Sequence, residues 1–498
     1  MSLMGVDIGS SRCKAVVFAA DGSVLAEAAE DYAPQFPASA RVEMDPDTLW
    51  QAAAGVIRSA AAASEEPVEA IGLSSHGESF VPVDDSGEPL APVIMNADNR
   101  AVEEARWWEQ KLGREHIFQT TGMIVHPMYP MPKLRWLRMH EPDLFERAAR
   151  FVSVSDYVLL QLGLEPKIAH SLACRFMAFD VRQLRWSDEI LAAAELSPER
   201  LPIPVPAGTT AGRLSRTAAA DLGVAPDVPV VVGGHDQPNG ALGLGAIAPG
   251  MVTNSLGTWE CLAAVADEPT LGAAALAGSL NSYCHVVPGA YITIAYFPAG
   301  IMVKWFCDTF CGEDAAVAAA QGAGLHDYLE AAAPEGPTGL CITPHLIGTA
   351  NPHFDPRATG MIFGLTQTSS RHQLYKGILE GLACELAIVS ELLADAVGPF
   401  DLLRCTGGGA RSRLGLQLRA SITGRSMQIL TCPEAVCHGV ALLAGTTAGV
   451  YDDLDQAVER AVRVADTIVP DAAETAAYAR QVERYRHLYP ALEPLRAL

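Results

Sequence analysis

Positive charge is scarce in this 498-residue chain: 35 Lys and Arg stand against 58 Asp and Glu, a formal charge of −23. Nothing concentrates the basic residues into a stripe, which disfavours a nucleic-acid or anionic-membrane surface. No charge-free run of 18 apolar residues occurs, and Met1 to Asp7 lacks a basic segment followed by an apolar one. Neither a spanning helix nor an export leader is therefore expected, and the cytosol is the expected compartment. No CxxC spacing occurs either. The 11 cysteines are odd in number and scattered, which suits reduced thiols rather than a disulfide framework. The close pairs Cys307/Cys311 and Cys432/Cys437 have no second pair to complete a metal site, so inert thiols are expected.

What is present suits a large globular core. Hydrophobic residues make up 49% and charged residues 19%, which excludes disordered and collagen-like classes. At roughly 100–200 residues per domain the length predicts two to four domains. The strand pattern is expected to begin at Met4, with Met4, Val6 and Ile8 alternating, then Ala15 to Ala20, an Asp21-Gly22 turn and Val24 to Ala28: an antiparallel meander. Asp45-Pro46 supplies an N-cap and first-turn proline for a helix to about Ala63, and Val68 to Ser74 reads as a strand. Residues 100–225 read as mainly helical, with one helix carrying Trp107 and Trp108, one over Leu134 to His140, one over Val152 to Leu162, and a loop near Pro198 to Pro206. Residues 228–235 (VPVVVGGH) form a buried strand that delivers His235-Asp236-Gln237 at its carboxyl end into a loop, where ligands of α/β folds gather. After Ala248-Pro249-Gly250 a second β-rich stretch begins, Met251 to Ala266, broken at Leu256-Gly257-Thr258. This places a domain boundary at 249/250. Leu374, Ile378, Leu379, Leu382, Leu386, Val389 and Leu392 mark a long amphipathic helix. Leu402 to Thr406 then feeds Gly407-Gly408-Gly409 and a helix from about Ser412 to Thr423. The whole reads as α/β.

Small residues at a turn let backbone N–H groups approach an anion. Gly9-Ser10-Ser11 and Gly257-Thr258 are two such turns, one per half, and together they could hold a polyphosphate. Gly407-Gly408-Gly409 before a helix offers a third anion site. A carboxylate at Asp7, beside the first turn, would repel phosphate unless a divalent cation stood between them, which makes it a candidate Mg²⁺ ligand. Asp236 emerges from an apolar strand, where an Asp can accept the proton of an attacking hydroxyl.

These residues resemble the FGGY carbohydrate kinases over nearly the whole chain. GVDIGSSRCKAVVF (5–18) is similar to the family's first phosphate segment and MYPMPKLRWLRMH (128–140) to its first signature, with Met139 at a usually polar place. VVVGGHDQPNGALGLGA (230–246) looks like the segment of the catalytic aspartate. SLGTWE (255–260), NPHFDPRATGMIFGLT (351–366), HQLYKGILEG (372–381) and RCTGGGARSRLGLQLRASITG (404–424) resemble the second-domain segments, Gly377 departing from the usual Ala or Ser. The resemblance implies two actin-like, ribonuclease H-like ATPase domains, 1–249 and 250–498, with a cleft between them. It also implies ATP, Mg²⁺ and γ-phosphoryl transfer to a sugar or polyol hydroxyl. On it, Asp236 falls on the general base, with Asp7 and Asp236 the carboxylates near the metal. Gly9, Ser10, Ser11, Arg12, Gly257, Thr258, Gly408, Gly409, Ala410 and Ser412 fall on the nucleotide side, where Arg12 and Lys14 would add positive charge.

LSSHGESFVP (73–82) aligns with the stretch where xylulokinases carry Met-His and glycerol kinases Arg-Glu; here the pair is Gly77-Glu78. Asp236-Gln237 resembles the glycerol-kinase pair, whereas PKLRWLRMHEP (132–142) and the general layout look xylulokinase-like. Asn96, in NADNR (96–100), stands where an aromatic is usual. His76, Gly77, Glu78, Asn96, Asp98 and Gln237 are therefore expected around the acceptor, although Asp98 with Arg100 would equally make a structural ion pair and His76 a satisfied core histidine. The expected reaction is phosphorylation of a terminal hydroxyl of a ketose or sugar alcohol, xylulose-like first and a glycerol- or erythritol-type polyol second. An actin- or Hsp70-like switch without an acceptor is the alternative of another class. A homodimer is left open.

Overall fold

The computed structural model describes residues 1–496. It contains two mixed sheets built on one plan. In the first, Pro229–His235, Val68–Ser75 and Ser2–Ile8 run parallel, and Ser2–Ile8 continues antiparallel into Arg12–Ala19 and Val24–Asp31. In the second, Ser426–Leu430, Leu402–Thr406 and Val252–Leu256 run parallel, and Val252–Leu256 continues antiparallel into Trp259–Ala266 and Tyr291–Pro298. Each sheet ends in an antiparallel edge strand beside its parallel trio, Thr210–Arg213 and Val464–Ile468, and the second adds Asn281–Cys284.

The strands follow the apolar runs. Val6, Ile8, Ala15, Val17, Leu73 and Val230 are fully or almost fully buried, packed beneath the helix Pro46–Ala63, whose start is fixed by Asp45 accepting from the Asp47 amide and by Pro46. The helix Arg371–Val397 packs its apolar stripe into the second core and ends at Gly398.

Four expectations need correction. The first strand begins at Ser2, not Met4: the Ser2 hydroxyl donates to Pro67 O at 2.8 Å and Leu3 is 1% exposed. The helix expected over Val152 to Leu162 is a strand, Arg150–Ser153, followed by the helix Val154–Gln161, because Phe151 and Val152 pair with the strand Phe80–Val83. The loop near Pro198 to Pro206 holds a short 3-10 turn, Pro198–Arg200, and the strand Ile203–Val205, paired with Lys167–Ala169. Asp236 is not in a loop. It is the first residue of the helix Asp236–Gly243, so the chain passes from strand to helix without a spacer. Among the described residues no helix is long and apolar enough to cross a membrane. All the cysteines are free and no group of three or more His, Cys, Asp or Glu side chains that could hold a metal ion is assembled among the described residues.

Candidate active site

Register brings the chemistry together. Ile8 pairs with Ser75 and Ser75 with His235, so three parallel strands stop level and the following residues, Gly9, His76 and Asp236, share one sheet edge. The second sheet does the same: Ser255 pairs with Thr406 and Cys405 with Ile429. The two edges face each other across a cavity of about 180 Å³, with Asp7, Asp236 and Gln237 on one wall and Ser255, Thr406, Gly407 and Glu434 on the other.

Two carboxylates dominate it. Asp7 Oδ1 and Asp236 Oδ1 are both sealed from solvent and without a hydrogen-bond partner. His235 Nε2 lies 3.2 Å from Asp236 Oδ1 but outside hydrogen-bond alignment. Burial, then the neighbouring Asp236 and Glu434, push the Asp7 carboxyl well above its ordinary range, and Lys14 opposes this. Burial, then Glu78, raise Asp236 to about 7, against the pull of Gln237 and Arg175. Two facing acids with orphaned oxygens lack a cation. Lys14 does not supply it, because its ammonium is held by Glu434 at 2.6 Å. A hard divalent ion, which accepts one or two carboxylates plus phosphate oxygens and water, fits such a pair.

Beside Asp236 lies a group that spans the sequence. Glu78, buried and in the left-handed region at φ 64°, is ion-paired to Arg175. Arg175 is 3% exposed, and its guanidinium lies 5.3 Å from the Tyr129 ring centroid and 5.0 Å from that of Tyr283. Burial opposes its charge, but Glu78, Tyr129 and Tyr283 together outweigh this and keep it protonated. Gly77 makes the arrangement possible: a Cβ there would lie 3.0 Å from Arg175 Cγ and 3.1 Å from the His235 ring. Burial, then Arg175 and His76, hold the His235 imidazole far below its ordinary value, so it is neutral.

Several residues expected to face the acceptor are engaged elsewhere. Both His76 ring nitrogens are taken, Nδ1 by Ile8 O at 2.9 Å and Nε2 by the Ser79 hydroxyl at 2.8 Å. Asp98 is fully buried and accepts from the Val42 amide and from Arg100 at Nε and Nη2. It is the structural ion pair. Asn96 is half-buried, with Oδ1 accepting from the Ala97 amide. Gly77 provides room rather than contact. Glu78 and Gln237 remain beside Asp236.

On the nucleotide side, Gly9, Ser10 and Ser11 close the first hairpin, and Gly257 and Thr258 close its counterpart. Among the described residues, the Ser10, Ser11 and Thr258 amides have no backbone acceptor. Gly408, Gly409 and Ala410 form a 3-10 turn after the strand Leu402–Thr406, and Gly409 packs so closely on Leu256 that a Cβ would sit 2.8 Å from it. These turns flank the cavity walls rather than forming them. Two residues expected on the nucleotide side have other contacts. Ser412 is spent as the N-cap of Arg413–Thr423, accepting from the Gly415 amide at 2.9 Å, and Glu330 accepts from the Leu414 amide, so that helix end has little left for an anion. Arg12 is exposed and sits 3.4 Å from Asp31. Sequence reasoning missed Arg175, Tyr283 and Glu434; no local pattern marks them.

Paired sheet edges with glycine-rich turns on both sides and an unneutralised carboxylate pair between them define a two-lobed nucleotide-dependent phosphotransferase. The family model for the N-terminal domain of the FGGY carbohydrate kinases matches residues 2–243, and that for the C-terminal domain matches residues 252–448. The chain is 30% identical over 504 residues to the xylulose kinase of Klebsiella pneumoniae, covering 99% of each. It is 27% identical over 463 residues to the gluconokinase of Bacillus subtilis, 91% of this chain and 89% of that protein. The crystal structure of xylulose kinase from Rhodospirillum rubrum superposes with a TM-score of 0.87 at 26% identity, covering 100% of both chains. The chain belongs to the FGGY family of carbohydrate kinases, with the actin-like fold of that family, and is an ATP-dependent carbohydrate kinase.

Proposed function

We propose that the protein transfers the γ-phosphoryl group of ATP to a terminal hydroxyl of an uncharged ketose or polyol, a xylulose-like sugar first. Residues 1–249 would carry acceptor and base and residues 250–498 most of the nucleotide. The observation that carries this reading is the pair of unpartnered carboxylate oxygens, Asp7 Oδ1 and Asp236 Oδ1, between two glycine-rich sheet edges. Asp236 accepts the proton of the attacking hydroxyl. Its raised affinity for a proton makes it a better acceptor than an ordinary aspartate. The amides of Ser10, Ser11 and Thr258, with the turn at Gly408 to Ala410, hold phosphate oxygens through backbone N–H groups. Asp7 would hold Mg²⁺, which when bound offsets the charge of the phosphates. Glu78 and Gln237 orient the acceptor beside the base.

Electrostatics favour an uncharged acceptor. Asp7, Asp236 and Glu434 line the cavity and Glu78 lies beside Asp236; Lys14 and Arg175 are taken up by Glu434 and Glu78, so no cation is left over for Asp7 and Asp236 or for an anionic acceptor. A sugar acid would bring a further negative charge into this surround. Relatives named xylulose kinase and gluconokinase differ in that respect, so a panel of D-xylulose, erythritol, glycerol and D-gluconate, read by acceptor-dependent ADP release, is decisive. The expected order places an uncharged ketose or polyol first, with kcat/KM for gluconate lower by about tenfold or more, the worth of one unfavourable charge contact of ~1.4 kcal/mol. Gluconate as the best substrate would overturn the acceptor class, and ADP release independent of any acceptor would favour a nucleotide switch.

A further inference from the structure

The short strand Asn281–Cys284 belongs to the second sheet but is fastened to the first half at three successive residues. Asn281 Oδ1 accepts from the Ile124 amide at 3.0 Å and from the Tyr129 hydroxyl at 3.1 Å. The Ser282 amide donates to Gly122 O at 2.9 Å. Tyr283, fully buried, places its hydroxyl 2.9 Å from His235 Nδ1. His235 is the residue immediately before Asp236, and its other ring nitrogen lies 3.2 Å from Asp236 Oδ1.

The direction of these contacts follows from the donor inventory. An imidazole whose Nδ1 accepts a hydrogen bond carries its ring proton on Nε2. A buried phenol without another acceptor donates to the imidazole, which leaves the proton on Nε2, the nitrogen facing Asp236. We propose that Tyr283 is a positioning residue for the phosphoryl transfer: its hydroxyl fixes the orientation and tautomer of His235, which sets the polarised Nε2–H 3.2 Å from Asp236 Oδ1, close enough to act on the carboxylate through its field although not aligned as a hydrogen bond. The base then attains its working environment only when the second half is docked through Asn281–Cys284. Gly77 serves the same device, since a side chain there would displace the His235 ring. This role rests on the reading of Asp236 as the base.

The test is a set of variants of the full chain assayed with the best sugar of the panel. Tyr283→Phe should lower kcat about tenfold, the value of one buried hydrogen bond, while KM for sugar and ATP stay within about twofold. His235→Gln, whose amide can still offer a donor toward Asp236, should stay within about threefold of wild type, whereas His235→Ala should fall at least as far as Tyr283→Phe. Because Tyr283 acts through His235, the double variant Tyr283→Phe/His235→Ala should be no slower than His235→Ala alone. Additive losses, or Tyr283→Phe with wild-type kcat, would overturn the role. Asp236→Asn separates the two failures. If it is inactive while Tyr283→Phe behaves as wild type, only the positioning role falls; if it keeps its activity, the base assignment falls.

Discussion

Asp236 stands out in the sequence because an uninterrupted apolar strand ends just before it, although a carboxylate there can equally start a helix, as this one does. Its neighbours were not legible. Glu78 and Arg175 are 97 positions apart, and Asp236 follows a strand of the first sheet whereas Tyr283 lies in the second, so only the fold brings them together. His76 and Asp98 show the converse: polar residues in a family-like segment whose partners, Ile8 O and Arg100, are set by strand ends and a turn. At this scale the consequence for activity is direct. Asp236→Asn keeps the shape but removes the proton acceptor, so kcat should fall by ~10²-fold or more, with ATP affinity unchanged by titration. The sign of the pH response follows from the raised carboxyl. Below about 7 Asp236 is protonated and cannot accept, so kcat/KM should climb as pH rises through about 7. A profile flat from pH 5 to 8, set on either side of that value by about one to two units, would contradict it.

Elements defined by their own residues were legible: the helix Pro46–Ala63 by its cap and the helix Arg371–Val397 by its long stripe. Strands of two to four residues were not, because a partner rather than a run of side chains defines them. Arg150–Ser153 is the clearest instance, since the same apolar residues would serve a helix if Phe80–Val83 were not alongside. Its end is set by a capping box. The Ser153 hydroxyl and amide both donate to Asp156 Oδ2, at 2.6 and 3.1 Å, while Oδ1 has no partner. Burial lifts Asp156 from its ordinary 3.8 to about 7, and the Ser153 contacts only partly offset this. A carboxyl whose proton is held more tightly in the folded chain stabilises it below the unfolded value, and that contribution disappears as pH rises through the folded value. Asp156→Asn should remove this dependence. Denaturant midpoints compared at pH 5 and pH 8 should show the variant gaining on wild type at the higher pH, by on the order of 3 kcal/mol at most. An identical difference at both pH values would rule it out.

The repeated plan of the two sheets extends to what holds them together. In each, a helix follows the outermost strand of the parallel trio: Asp236–Gly243 after Pro229–His235, and Ala435–Thr447 after Ser426–Leu430. These two helices cross in near-backbone contact. A Cβ on Gly243 would lie 1.8 Å from Ala435 O, and one on Gly439 would lie 1.9 Å from Asn239 O. The same helix of the second half lies on the first sheet, where Gly5 and Gly72 pair in register and leave no side chain between sheet and helix. The halves accordingly share an apolar cluster in which Leu3, Phe18 and Val231 meet Leu442, Leu443 and Tyr451. The joint between the lobes is thus built from the helix that begins with the proposed base, so disturbing it should be felt in catalysis as well as in stability. Gly439→Ala tests this. The backbone there tolerates alanine, and the added methyl can be accommodated only if the facing turn of the Asp236–Gly243 helix, from the Asn239 carbonyl to the Gly243 amide, retreats. A loss of about 1–3 kcal/mol in urea unfolding is expected, as for other overpacked sites, together with a fall in kcat that exceeds any change in the KM for ATP. Gly312→Ala is the control, because nothing lies within 4 Å of a Cβ at that position and alanine favours the helix it opens. It should be neutral or slightly stabilising with wild-type kcat. Were Gly439→Ala to lose stability but keep its full kcat, the crossing would be a structural joint with no hold over the aspartate at its end.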